Sequence, residues 1–192
     1  RNLCHRFHPA RCIAVEASPN LARNLAGSPN LTVFHRAICG RDGPISFNVS
    51  NHLESSSLFT PESASPHSTA AVEVQGITFA TLLRETAITH VDLLKIDIEG
   101  AEVPLLLDTP AEILAAVSQI TIEFHDFCNI TPPSVVAHMI QRLKSLGFIA
   151  IQFSRNNTNW LFIRQRTLSS WRTTIAKFAT SPLRRTKHRL FA

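Results

Sequence analysis

The ten residues VDLLKIDIEG, Val91 to Gly100, constrain this chain more than any other stretch. From Val91 to Ile96 only Asp92 and Lys95 interrupt an apolar run, and the chain then turns acidic and reaches a glycine. Such a run reads as a strand buried on both faces of a parallel sheet. In open α/β sheets, ligands sit just beyond the carboxyl ends of the strands. Here that end carries Asp97, Glu99 and Gly100, and a helix-like segment opens at Ala101 and Glu102. Period-2 alternation puts Lys95, Asp97 and Glu99 on one face. Two carboxylates and an ammonium at a strand tip are more than a core strand needs.

The flanking segments alternate strand and helix. Cys12 to Ala17 (CIAVEA) is a short strand ending in Glu16, and Ser18-Pro19 supplies an N-cap and a first helical residue. The helix shows Leu21, Ala22 and Leu25 on one face and is stopped by Gly27-Ser28-Pro29-Asn30. Leu31 to Cys39 is expected as one strand, with Ile45 to Val49 returning as its hairpin partner across Gly40-Arg41-Asp42-Gly43. Residues 50–70 are rich in Ser, Thr, Pro, His and Asn and read as a long surface loop. Val72 to Ile77 alternates as a strand, and Thr78 to Ala87 forms a helix on Phe79, Leu82 and Leu83.

Beyond Gly100, Glu102 to Leu107 and Glu112 to Val117 are helical, broken at Asp108-Thr109-Pro110. Ser118 to Phe127 is the next buried strand, with Glu123, His125 and Asp126 at its end. Pro132-Pro133 opens a helix to Leu146 with Val136, Met139, Ile140 and Leu143 on one face and Gly147 as its stop. Phe148 to Phe153 and Trp160 to Arg164 are two strands joined by a hairpin. The expected fold is α/β with a mostly parallel sheet and a C-terminal antiparallel hairpin.

VDLLKIDIEGAEVPLL resembles the signature of the FkbM-type methyltransferases, S-adenosylmethionine-dependent O-methyltransferases on a Rossmann-like fold. The resemblance runs over about residues 12–165, with further segments in the expected order. It implies a transfer of a methyl group to a hydroxyl of a sugar, glycolipid or secondary metabolite, with S-adenosylmethionine as cofactor. The VEASP stretch is similar to the family's E-P-x-P, with Ala17 in place of the proline; this and its place at a strand end make Glu16 the expected partner of the ribose hydroxyls. The same resemblance sets Arg36 and Ala37 against the adenine edge, mainly through backbone and shape. It also makes Ser56, Ser57 and Leu58 substrate-side or lid residues, and matches Glu123 and His125 to a Glu and a His that the family often carries at that strand end.

Methylation of an alcohol needs a base for its proton. The chain contains no tyrosine, so the base lies among Asp97, Glu99, His125 and Lys95. Asp97 is the first choice, with Lys95 pairing with it or orienting it, and Asp97 also counts among the cofactor-side residues. His125 is the second, because an imidazole titrates near neutrality without tuning. The competing reading makes Lys95 and Asp97 a mutual ion pair, and Glu99 and Glu102 no more than favourable charges near a helix N-terminus.

The family's glycine-rich loop, D-x-G-A-N-x-G, is matched by none of the six glycines, so the fold is expected to lack its first strand and that loop. Arg1 stands where an initiator Met would, and the chain reads as processed or as a fragment. Cofactor binding by these 192 residues alone is therefore expected to be poor, while the full-length parent would methylate. The same absence removes a nicotinamide-dependent oxidoreductase, which requires G-x-G-x-x-G. A catalytically silent remnant acting as an interaction module is the alternative.

Residues 1–166 are read as the domain and 167–192 as a basic amphipathic tail. The tail holds six of the chain's 19 basic residues and no acid, leaving 13 against 14 acidic residues elsewhere. No nucleic-acid partner is expected of a body so nearly neutral. The tail reads either as a helix packed on the domain or as a contact for an acidic partner or membrane surface. Cys4, Cys12, Cys39 and Cys128 are irregularly spaced, which argues against a zinc site or disulfide framework and for a reducing, cytoplasmic setting.

Overall fold

The computed structural model describes residues 9–25, 30–49, 70–98, 100–125, 131–154 and 159–167. The expectations for Ser56, Ser57, Leu58, Glu99, Asp126 and the tail beyond Thr167 fall outside those residues.

The chain begins its regular structure with β1 (Cys12–Val15) and α1 (Pro19–Leu25). Pro19 takes the first helical position, and the Ser18 carbonyl accepts the Ala22 amide at 2.9 Å, as the N-cap reading requires. β2 (Leu31–Phe34) then pairs with β1 in parallel, Cys12 beside Leu31 and Val15 beside Phe34.

The single strand expected over Leu31 to Cys39 is two. The Arg36 amide donates back to the Phe34 carbonyl at 3.0 Å, which turns the chain and ends β2. The chain resumes as β3 (Ala37–Ile38) in a different sheet. The expected hairpin between this segment and β4 (Gly43–Val49) is also absent. Instead β5 (Ala70–Ile77) lies between them, parallel to β3 and antiparallel to β4. Gly76 makes that insertion possible. A Cβ there would stand 2.9 Å from both the Arg41 carbonyl and the Cys39 sulfur. Only a glycine lets β5 approach the β3–β4 turn so closely.

That turn also holds the next helix. Thr78 caps α2 (Phe79–Glu85) with its hydroxyl on the Thr81 amide at 3.1 Å. Asp42 reaches over from the turn to the Thr78 amide and the Thr81 hydroxyl, each at 2.7 Å. The Thr78 amide, and next the Thr81 hydroxyl, hold the Asp42 carboxyl below its ordinary range. The buried face of α2 is Phe79, Thr81, Leu82 and Leu83.

The third sheet carries the order β6 (Leu94–Ile96), β7 (Gln119–Glu123), β9 (Asn159–Arg164), β8 (Phe148–Gln152). β6 and β7 run parallel, with Ile96 beside Ile122; β9 is antiparallel to both β7 and β8. The expected hairpin is thus present. β6 is shorter and drier on one side only: Ile96 is buried, whereas Leu93 and Lys95 are exposed, so the strand is not covered on both faces. Among the described residues three strand pairs are parallel and three antiparallel. The architecture is therefore mixed α/β, compatible with a methyltransferase fold, but its sheets are mixed and not mostly parallel.

Helices α3 (Glu102–Asp108) and α4 (Ala111–Ala115) meet at Thr109-Pro110, as the proline requires. α5 (Pro133–Ser145) buries Val136, Met139, Ile140 and Leu143, the predicted face, and packs against β8 and α3. Burying side chains of this size contributes about 1.5–3 kcal/mol each. Together with Ile96, Ile120, Ile122, Phe124 and Phe162 they form one core, against which Ile13, Val15 and Phe34 also pack.

Arg164 ties the ends of this layer together. Its buried guanidinium donates to the carbonyls of Leu114 at 2.7 Å, Val117 at 3.1 Å and Leu146 at 3.2 Å, and lies over the Phe148 ring. Burial, and then the charge of Arg166, lowers its pKa from the ordinary arginine value. Among the described residues no helix is long and apolar enough to cross a membrane.

Candidate functional site

The strand order places the carboxyl ends of β6 and β7 side by side, because their register is parallel. Among the described residues, ionisable groups follow each strand end: Asp97 and Glu102 beyond β6, and His125 beyond β7.

Lys95 and Asp97 are brought together as their shared face predicts, with the ammonium 2.5 Å from a carboxylate oxygen. Both side chains are partly exposed, 54% and 38%, so the pair is a solvated one and not the means of satisfying a buried lysine. Pairs of this exposure contribute about 0–1 kcal/mol. Asp97 thus starts from a carboxylate already engaged by a cation.

Glu102 differs sharply from that exposed pair. It opens α3, yet only 1% of its surface is accessible. Gly100 adopts φ +97°, which folds the β6–α3 turn back so that its amide points at both Glu102 oxygens, each 3.1 Å away. Oε1 also receives the Ile98 amide at 3.2 Å. The same oxygen stands 2.7 Å from Nδ1 of His125, itself only 6% accessible. Glu102 and His125 therefore form a buried pair that spans the tips of two adjacent parallel strands. Sequence reasoning treated Glu102 as a helix-end charge. The one available signal was its position two residues past a glycine at a strand tip.

The remaining candidates are placed separately. Glu16 follows β1, and its Oε1 accepts the Ser18 amide at 2.8 Å. No hydrogen bond among the described residues links it to the β6 tip. Arg36 gives its guanidinium to Glu85 of α2, at 2.8 and 3.0 Å, and sits over the Phe34 ring. Ala37 is buried at the start of β3, beside Gly76. Glu123 is half-buried and accepts a weak bond from the Asn159 side chain at 3.4 Å across to β9. A small hollow lined by Cys39, Gly40, Thr78, Phe79, Leu105 and Asp108 includes none of these residues.

No curated protein and no solved structure matches the chain significantly. Residues 3–150 match the family model of the Methyltransferase FkbM domain, a span that includes Glu16, the β6 tip, Glu102 and His125. With most of its length matched to that model, the chain belongs to the FkbM methyltransferase family.

Proposed function

We propose that this methyltransferase uses S-adenosylmethionine to methylate a hydroxyl oxygen on a sugar, glycolipid or secondary metabolite, within a Rossmann-like arrangement. The observation that carries the reading is the set of ionisable groups at the paired carboxyl ends of β6 and β7: the buried Glu102–His125 pair and, separately, the exposed Asp97 beside Lys95. That is the edge at which open α/β sheets receive their ligands.

When bound, the cofactor supplies an electrophilic methyl on a sulfonium. Glu16 fits its ribose: a carboxylate at the end of a parallel strand, with one oxygen steadied by the Ser18 amide, has the second oxygen to offer two vicinal hydroxyls. Arg36 has committed its guanidinium to Glu85, so a contribution to the adenine comes from the Arg36–Ala37 backbone. The chain's catalytic task is then twofold. It must hold the acceptor oxygen in line with the methyl carbon, which is the larger share of the acceleration. It must also accept the hydroxyl proton, for which Asp97 and His125 are the groups at the right edge. Ser56, Ser57 and Glu123 complete the proposed acceptor side by family resemblance, and Glu99 and Lys95 remain further base candidates at the β6 tip.

The experiment is transfer of tritiated methyl from S-adenosylmethionine to a panel of sugars, glycolipids and polyhydroxylated metabolites. The reading expects label in a base-stable ether. Label released by mild base, as from a methyl ester, or retained only on amines would contradict it.

A further inference from the structure

The sheet of β6, β7, β9 and β8 turns one face to α5 and the core, through Ile96, Ile120, Ile122, Phe162 and Phe148. Cross-strand partners share a face, so the register sets Lys95, Thr121, Leu161 and Ile151 in one row on the opposite face. That face changes character midway. Over β6 and β7 it is polar, with Lys95, Thr121 and Glu123. Over β9 and β8 it is apolar: Leu161 and Ile163 lie beside Ile151 and Ile149, and Phe153 continues the alternation past the end of β8. Ile163 is buried, but Ile149, Ile151 and Phe153 are 38%, 41% and 59% exposed.

The dimensions of this strip are those of one helix. Its two strands lie about 4.8 Å apart, and Ile149 to Phe153 spans about 13 Å. A helix is about 10 Å across, and ten residues of it cover about 15 Å. A second copy of the chain would need about 800 Å² per partner, several times this footprint. The sequence offers the helix at the adjoining point. β9 ends at Arg164, paired with Phe148 at the start of β8, and residues 165–167 are already helical. Leu168, Trp171, Ile175 and Phe178 then follow at intervals of three, four and three, the spacing of a single apolar face.

We propose that residues 168–178 form a helix that docks on the Ile149–Ile151–Phe153 strip and closes the sheet over β8 and β9. A helix that starts at the Phe148 end and covers the strip runs toward Phe153. β8 and β7 are both antiparallel to β9, so β8 points the same way as β7. The helix therefore ends at the edge of the sheet that carries the β6 and β7 tips. The basic run beyond Pro182, with Arg184, Arg185, Lys187 and Arg189, leaves from that edge. The polar half of the face, over β6 and β7, stays open. None of this depends on the methyl-transfer reading.

The test reads Trp171, which shares the chain only with Trp160. 5-Fluorotryptophan is incorporated into the full chain, and the Trp171 signal is assigned by its loss in Trp171→Phe. Its exposure is the difference in ¹⁹F shift between H₂O and D₂O. The proposal expects a difference several-fold smaller than that of free 5-fluorotryptophan, at every protein concentration and without lipid. Ile151→Asp, and equally Phe153→Asp at the most exposed position of the strip, should restore most of the free value. Leu93→Asp, at an exposed apolar residue ahead of β6, should leave Trp171 shielded. Trp160, which packs against the core, reports in the same spectra that each variant is folded. A Trp171 as exposed in the parent as the free amino acid overturns the proposal. Shielding that survives both strip variants, or that Leu93→Asp also abolishes, overturns it by placing the tail elsewhere. Shielding that appears only with phosphatidylserine vesicles assigns the tail to a membrane surface, and shielding that grows with protein concentration assigns it to a second copy; either overturns it.

Discussion

Oε1 of Glu102 and Nδ1 of His125 lie 2.7 Å apart although 23 positions separate them in the chain, and both side chains are almost sealed from solvent. The contact joins the start of α3 to the end of β7, so it reports on tertiary structure as well as chemistry. Removing Glu102 takes the carboxylate away from a buried imidazole and two backbone amides. Glu102→Ala should cost about 2–4 kcal/mol in urea denaturation, from the lost pair and the two stranded amides. Glu102→Gln, which still accepts from the amides, should cost clearly less. Equal losses in the two variants would mean that the carboxylate's hydrogen bonds do not hold this turn.

Arg164 satisfies carbonyls at the ends of α4 and α5 and in the β7 approach. A lysine has one ammonium and no planar fork with which to do the same. Arg164→Lys should therefore destabilise by about 2–4 kcal/mol, because buried carbonyls lose their donors. Thermal unfolding measures it. A variant melting with the parent would show that water replaces the guanidinium at no cost.

Asp42 gives a pH-dependent prediction with a fixed sign. Its folded-state pKa is lowered by the Thr78 amide and the Thr81 hydroxyl. Its contribution is therefore fully present above the ordinary aspartate pKa, about 3.9, and is lost as pH falls through the lower folded value. Asp42→Ala should be less stable than the parent at pH 6, and the gap should narrow steadily toward pH 2. A gap that is constant or widens with acid would contradict the capping role.

Two glycines separate a tight backbone contact from a yielding one. At Gly76 an added Cβ meets the Arg41 and Gly43 carbonyls, which cannot move without unpairing β5. Gly76→Ala should cost about 1–3 kcal/mol. At Gly40 the obstruction is the carboxylate of Asp108, an exposed side chain that can swing aside. Gly40→Ala should fall within about 0.5 kcal/mol of the parent, the usual range for surface changes. Urea titrations of the two variants compare them, and the reverse order of costs would refute the assignment.

How much of this was legible in the sequence depends on how far apart the deciding residues lie. The α5 face of Val136, Met139, Ile140 and Leu143 is a periodicity within one helix, and it was readable in full. So was the antiparallel pairing of β8 with β9, where two apolar runs flank an Asn-rich segment. The middle sheet was not, because the place of β5 depends on Gly76 meeting a turn more than thirty residues earlier. The split of β2 from β3 rests on one local backbone bond at Arg36 that no side-chain pattern announces. The β6 tip was found from its charges, and Lys95 and Asp97 do pair. Yet the acid most deeply committed there is Glu102, whose meaning comes from a histidine in another strand's end.

The claim on which the functional account rests is that the carboxyl ends of β1 and β6 receive the nucleoside. An amide ¹H–¹⁵N titration with S-adenosylhomocysteine tests it at any affinity, tight or weak. The account predicts shifts concentrated at Glu16 to Ser18 and at Asp97 to Gly100, diminished at least tenfold in apparent affinity by Glu16→Ala. Shifts confined to the β8–β9 hairpin or the β4–β5 pair, or an affinity untouched by Glu16→Ala, would contradict it.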